Sequence, residues 1–293
     1  MCRIPFALRS FSWSLVLVAA SLFVLHATPL QATPLQANPV NTATSNAVGA
    51  SSMASPASLN DASDARSYVA RAYCLETGEL FYTEHHLERW EDGQHLGSEV
   101  QYRNPEGEVI AEKSISYTSG GPTPTFEMQD LRDGYREGAE VGPKSVRLYG
   151  RNTDGERKES KLRLPRGAVI DAGFHYFIQQ EWDALAKGKT RKLDFAIPIR
   201  GEFFSFRVRP TGQVKGSDGR QLLKMRFELA NPLLRFLADP IQLTYDVERR
   251  RLRVYEGRSN IRDDDGKIYT TRIVFAYPDE AGEVLTPQSQ PAG

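Results

Sequence analysis

The stretch from Asp171 to Gly188 constrains the fold most, because it carries a long helical pattern in a chain whose remaining pattern is that of strands. Large apolar residues recur there at three- and four-residue spacing, which places them on one stripe of a helix. They are Phe174, Phe177, Ile178, Trp182 and Leu185. Asp171 suits the N-cap and Gly188 the C-cap of a helix. Because no other helix of similar length is predicted, we expect the stripe of this helix, residues 171–187, to lie on a sheet.

The segments on both sides of this helix alternate apolar and polar residues with the period of two that is typical of strands. The clearest examples are Leu193–Ile199, Phe204–Val208, Leu223–Leu229 and Ile241–Val247. Each has one apolar and one polar face, as antiparallel sheets with a single covered side require. We therefore predict a mainly β (α+β) fold, in which a curved antiparallel sheet or half-open barrel of about 10–13 strands wraps around the helix.

A second, short helix is predicted over residues 231–238, between two of these strands. Asn231 suits its N-cap and Pro232 its first helical position. The remaining residues are largely apolar, which is unusual for a free surface turn. This segment either closes one end of the barrel or contacts a partner protein.

The N-terminus has the pattern of a secretory signal peptide. Arg3 and Arg9 supply its positive charge, residues 14–25 are apolar, and small residues follow in a duplicated TPLQA sequence. The apolar run is short for a membrane span. We therefore predict that residues 1–37 are cleaved, that the mature chain has no transmembrane span, and that the protein is periplasmic.

Composition divides the rest of the chain into three parts. Residues 38–65 are rich in Ala, Ser, Asn and Thr, and they contain too little apolar surface to offset the entropy of ordering. We interpret them as a disordered linker. Residues 66–278 form a single β-rich domain, and residues 279–293 are predicted to be a disordered tail.

The charge balance argues against nucleic-acid binding. The full chain has 37 Lys+Arg and 37 Asp+Glu, and residues 1–37 hold two arginines and no acid. The mature chain would therefore have 35 basic and 37 acidic residues, a net charge of −2. Proteins that bind nucleic acid are usually strongly basic.

The sequence indicates no catalytic residue, no metal ligand and no cofactor. It has neither a GxSxG nor an HExxH motif. The adjacent His85 and His86 should point to opposite faces of a strand, so they cannot share a metal ion without a bulge. Glu84, His86 and Glu88 share one face of that strand, which is either a polar site or a solvated surface. An enzyme of unknown type is therefore the least favoured class.

The helix at Asp171–Gly188 and the strands Leu193–Ile199, Phe204–Val208 and Leu223–Leu229 together resemble half-open barrels of the LolA/LolB lipoprotein-carrier type. They are also similar to β-rich periplasmic families of Gram-negative bacteria that share this plan. The resemblance is architectural and covers residues 66–278. It implies a concave apolar face that holds an acyl chain or a similar ligand.

We therefore predict a non-enzymatic protein that binds a lipid or another apolar ligand between the curved sheet and the helix. The predicted lining is apolar and largely aromatic, and it consists of Phe174, Phe177, Ile178, Trp182, Phe195, Phe206 and Phe227. The alternative is a structural or assembly factor of the cell envelope that acts by protein–protein contact through the segment 231–238.

Overall fold

The structure, a computed structural model, describes residues 64–278 apart from 236, 237 and 265. The predicted signal peptide, most of the predicted linker and the predicted C-terminal tail lie outside the described residues. The first strand begins at Asp64, two residues before the predicted start of the domain. No described helix has both the length and the apolar character that a membrane span needs.

Fifteen strands of the described chain form one sheet, two more than the upper end of the predicted range. Neighbouring strands are antiparallel, except that β9 runs parallel to β10. The strands are β1 (Asp64–Cys74), β2 (Leu80–Glu91), β3 (Gln94–Arg103), β4 (Val109–Ser116), β5 (Thr125–Asp130), β6 (Arg136–Val141), β7 (Ser145–Arg151), β8 (Arg157–Arg163), β9 (Ala168–Val169), β10 (Arg191–Ile197), β11 (Glu202–Lys215), β12 (Gln221–Leu229), β13 (Ile241–Asp246), β14 (Leu252–Arg262) and β15 (Ile268–Ala276).

Two of these strands were not predicted from the sequence, because their alternation of apolar and polar residues is too weak. The strand β6 has the sequence REGAEV, in which only Ala139 and Val141 are apolar, and β9 has two residues. The charged strand β8, by contrast, has a pattern that suits either an edge or a solvated face, and it lies at an edge of the sheet. Charged edge strands discourage pairing with other chains.

The sheet must curl because its two edge strands are joined by a short connection. The edges are β8 and β9, and residues 164–167 link them. That connection spans at most about 18 Å, whereas a flat sheet of fifteen strands would be about 65–70 Å wide. Near the edges, Ile199 packs so closely on β7 that a Cβ atom at Gly150 would lie 2.6 Å from its Cδ1. The predicted fold class, a curved and unclosed antiparallel sheet, is confirmed.

The core consists of two clusters on the inner face of the sheet. The first lies mainly on β1–β7 and includes Tyr82, Met128 and Leu148. The second lies on β10–β13, where the helical segment covers the strands. Tyr255 of β14 packs against both clusters. The inner face is therefore continuous across the sheet.

The predicted helix is present, but it is broken into α1 (Gly173–Gln180) and α2 (Trp182–Ala186). Glu181 separates them with φ −94° and ψ 6°, and its carboxylate pairs with Arg191 Nε of β10 at 2.6 Å. The apolar stripe survives the break, because Ile178 and Trp182 are 0% and 4% exposed. The predicted burial of this stripe against the sheet is confirmed.

The two ends of the helical segment differ from each other in how well they were predicted. Gly188 does end α2, with φ 79°; its N–H donates to Leu185 and the N–H of Lys189 to Ala184, as in a Schellman motif. The prediction that Asp171 is the N-cap is wrong, because α1 begins at Gly173 without a side-chain cap. The Asp171 carboxylate instead accepts hydrogen bonds from Lys113 in β4.

The prediction of a short helix over 231–238 is also wrong for the described residues, because 232–234 form a turn and Arg235 has a 3-10 conformation. Asn231 does cap, since its Oδ1 accepts from the N–H of Leu233 at 2.9 Å. Pro240 directly precedes β13. So short a segment, ended by the return to a strand, satisfies too few backbone groups to sustain an α-helix.

Candidate functional site

Four phenylalanine rings meet where α1 begins to cover the sheet, and we call them the aromatic cluster: Phe174, Phe195, Phe206 and Phe227. Phe227 lies at its centre. The centroid of its ring is 4.9 Å from that of Phe174, 5.5 Å from that of Phe195 and 4.6 Å from that of Phe206. These distances are those of directly interacting rings. The three strand residues share a face because β10, β11 and β12 are consecutive antiparallel strands.

Four residues of the predicted lining lie in the second core cluster, and the other three pack against it. Ile178, Trp182, Phe177 and Phe227 are buried, whereas Phe174, Phe195 and Phe206 are half-buried. The helix and the strands are in direct contact at Phe174 and Phe227, two residues between which the sequence analysis had placed the ligand. A ligand could therefore touch only the half-buried edge of the aromatic cluster.

The inner face of β10–β13 remains apolar beside the aromatic cluster. The directly opposed pairs Phe195–Phe204 and Phe206–Leu229 lie there, and they are followed by Phe227 with Ile241 of β13. None of these side chains has a hydrogen-bonding group. This part of the face can therefore recognise a ligand only by shape and apolar contact.

The inner face of the other half of the sheet holds a polar group that the sequence analysis did not identify. Lys113 Nζ lies 2.8 and 2.9 Å from the two carboxylate oxygens of Asp171, and both side chains are about 90% buried. Burial opposes the charge of Lys113, but Asp171 and Tyr102 outweigh it, so the pKa of Lys113 lies well above its ordinary value. Asp171 has φ 41°, in the left-handed region. The ion pair therefore fixes the backbone that enters α1.

Glu84, His86 and Glu88, which the sequence placed on one strand face, point to this same inner face. His86 Nε2 lies 3.0 Å from Glu84, and Trp90 donates to Glu88 at 2.9 Å. The ring of Tyr68 stacks on His86 with centroids 4.3 Å apart. Each of these polar groups therefore has a partner inside the sheet. Among the described residues, no group of three or more His, Cys, Asp or Glu side chains could hold a metal ion.

His175 is a titratable side chain of α1 whose pKa is changed by the packing of the helix on the sheet. Its ring lies parallel to that of Tyr245, with centroids 6.0 Å apart. Burial, helped by His95 and Arg251, lowers the pKa of His175 to about 4. The neutral ring therefore contributes stability in full above the unfolded-state pKa of 6.5, and this contribution is lost as the pH falls towards the folded-state value.

We predict that His175→Phe makes the protein less sensitive to acid. The substitution keeps a ring against Tyr245 and removes the titration. Between about pH 7 and about pH 4.5, the wild type should lose about 2 kcal/mol more of its free energy of unfolding than the variant. Urea denaturation at both pH values measures this difference. Equal losses in the two proteins would show that His175 does not control the acid response.

Comparisons with known proteins give a distant structural likeness. No protein-family model matches the sequence, and no curated protein matches it. Among solved structures, the chain is similar to a beta-barrel-like protein of domain of unknown function DUF1849 from Brucella abortus, with 10% sequence identity and a TM-score of 0.42. The match covers 72% of this chain and 96% of that one.

Proposed function

We propose that this protein is a non-enzymatic periplasmic protein that binds an acyl chain, or a ligand of similar chemistry, at the half-buried edge of the aromatic cluster. The observation that supports this is the apolar inner face of β10–β12, on which the half-buried Phe204 and Leu229 continue beside the aromatic cluster without belonging to either core cluster. The function is the one that the resemblance to LolA/LolB-type carriers implies. Compared with the sequence-based prediction, the ligand is moved from beneath the helix to its edge.

The chemistry of this surface suits an acyl chain better than a polar ligand. Phe174, Phe195 and Phe206 offer aromatic walls without hydrogen-bonding groups. Each CH₂ group that leaves water on such a surface contributes about 0.8 kcal/mol. Several such groups together can exceed the cost of association.

We predict that delipidated protein takes up a fluorescent sixteen-carbon fatty acid in a saturable manner. Phe206→Glu should weaken this uptake at least about tenfold, because a charge would lie against the chain. The matched control is Phe275→Glu, which changes a half-buried phenylalanine on the inner face of β15. Phe206→Trp should report binding by energy transfer to the probe.

Two results would contradict this function. One is the absence of saturable uptake by a folded, delipidated sample. The other is an equal loss of uptake in Phe206→Glu and Phe275→Glu, since the site would then not be the aromatic cluster. Native mass spectrometry of the protein purified from its own source should also reveal a bound small molecule.

The periplasmic location is tested separately. We predict that the mature chain begins between Thr28 and Asn38, after one of the small residues of the N-terminal repeat. N-terminal sequencing of the protein from a periplasmic extract measures this directly. Recovery of the uncleaved chain from the inner membrane would contradict it.

A second candidate function, contact with an envelope protein, is favoured by one observation. Leu233, in the connection between β12 and β13, is 75% exposed. A single exposed leucine is common on protein surfaces, so the acyl-chain function has stronger support. Loss of function in cells with Leu233→Glu, while fatty-acid uptake by the purified variant stays normal, would favour this second candidate.

A further inference from the structure

The outer face of β5–β8, on the opposite side of the sheet from the aromatic cluster, contains a depression of about 560 Å³. This volume is within the range of small-molecule sites. Five cationic side chains and three carboxylates line it. The depression therefore has a positive balance, although the whole chain is neutral.

All three carboxylates are already paired with one of two arginines, Arg136 or Arg147. Arg136 donates to Glu127. Arg147 donates to Glu140 at 2.7 Å and to Glu159 at 2.8 Å. The carboxylates are therefore not available to the remaining cations of the depression.

Arg151 and Arg157 remain beside Arg136 in one row across the sheet. Arg151 lies directly opposite Arg136 on β6 and directly opposite Arg157 on β8. In the part of the chain that the structure describes, no ion pair joins Arg151 or Arg157 to a carboxylate. The acids of the neighbouring turns are engaged, since Asp133 and Asp154 each accept from a backbone N–H of their own turn. Like charges that face each other across strands repel, and a bound anion would relieve this repulsion.

We propose that the row Arg136, Arg151 and Arg157 binds a phosphate group. Guanidinium groups bind phosphate through paired N–H donors, which a planar arginine presents at fixed geometry. Gly134 leaves the turn beside Arg151 open, because it has φ 74° and no side chain. The phosphate belongs either to a free phosphorylated compound or to the headgroup of an anionic lipid, which present the same oxygens. This site is separate from the acyl-chain site and is tested independently of it.

The test measures binding of inorganic pyrophosphate by calorimetry at low ionic strength, together with co-sedimentation with phosphatidylglycerol vesicles. The site variant is Arg151→Gln/Arg157→Gln. The matched control is Arg209→Gln/Arg226→Gln, which removes two charges from another directly opposed arginine pair on the outer face. In that pair, Glu228 already lies 3.8 Å from Arg209. Circular dichroism confirms that each variant is folded.

We expect the wild type and the control variant to bind at least one of the two probes, and the site variant to bind about tenfold more weakly or worse. Binding of pyrophosphate alone would identify a free phosphorylated compound, whereas binding of vesicles that pyrophosphate displaces would identify a lipid headgroup. The proposal is overturned if the wild type binds neither probe. It is also overturned if both double variants lose the same affinity, because the effect would then be one of overall charge.

Discussion

Replacing Trp182 with alanine should destabilise the protein by about 3–5 kcal/mol, the largest loss expected from a single change on the helical segment. Trp182 is 4% exposed, and its ring packs against Tyr245 with centroids 6.1 Å apart. The substitution removes a large buried side chain at the point where α2 meets the sheet. Because α1 and α2 pack on the sheet through one stripe, the neighbouring residues cannot easily fill the space.

Chemical denaturation measures this loss, and Phe174→Ala provides the matched control. Phe174 lies on the same stripe but is half-buried, so we expect it to cost about 1–2 kcal/mol. If Trp182→Ala costs less than about 1 kcal/mol, the stripe is not part of the core that stabilises the fold.

The second large effect is expected from Lys113→Met. This substitution keeps the length of the side chain but removes its charge, so the buried carboxylate of Asp171 loses its partner. Breaking one side of a buried ion pair typically costs about 3–5 kcal/mol. The free energy of unfolding at neutral pH is the quantity to measure.

A double substitution separates the ion pair from general packing. In Lys113→Met/Asp171→Asn, neither charge remains, and we expect much of the loss to be recovered. As a surface control, Arg89→Gln breaks the exposed pair with Glu99, whose atoms are 3.8 Å apart, and it should cost less than about 1 kcal/mol. If the double variant is no more stable than Lys113→Met, the unpaired carboxylate is not the cause of the loss.

The sequence predicts those parts of this fold that local pattern determines. The stripe that contains Ile178 and Trp182 follows from residue spacing, and the end of α2 follows from the freedom of Gly188 to adopt positive φ. The start of α1 depends instead on Asp171 and Lys113, which are 58 residues apart in the chain. A rule based on neighbouring residues assigns Asp171 as an N-cap, because such a rule does not take into account Lys113 on the distant strand β4.

The candidate site, too, is predicted by local pattern only in part. Alternation along β10–β12 places Phe195, Phe206 and Phe227 on one face, and the structure brings them together. How far each ring is exposed depends on where α1 begins. The alternation of apolar and polar residues along the strands does not predict that position. One feature of the sequence does point to the buried polar group. Lys113 occupies an inward-facing position on β4 between the apolar residues Ala111 and Ile115.

The first and last strands of the domain, β1 and β15, are neighbours in the sheet, and this has a consequence for how the protein folds. From β9 through β15, and then from β1 to β8, the strands follow one another as a simple meander, and β1 pairs with β15 at its centre. Nearly every pairing is therefore local in sequence and quick to form. Val69 and Ala276, which pair with each other, are separated in sequence by almost the whole domain, so β1 and β15 are the last strands to pair. Until they do, β1 has an unpaired edge. A circular permutant that began at Ala168 and ended at Arg163 would make this pairing local, and it should reach the same sheet faster.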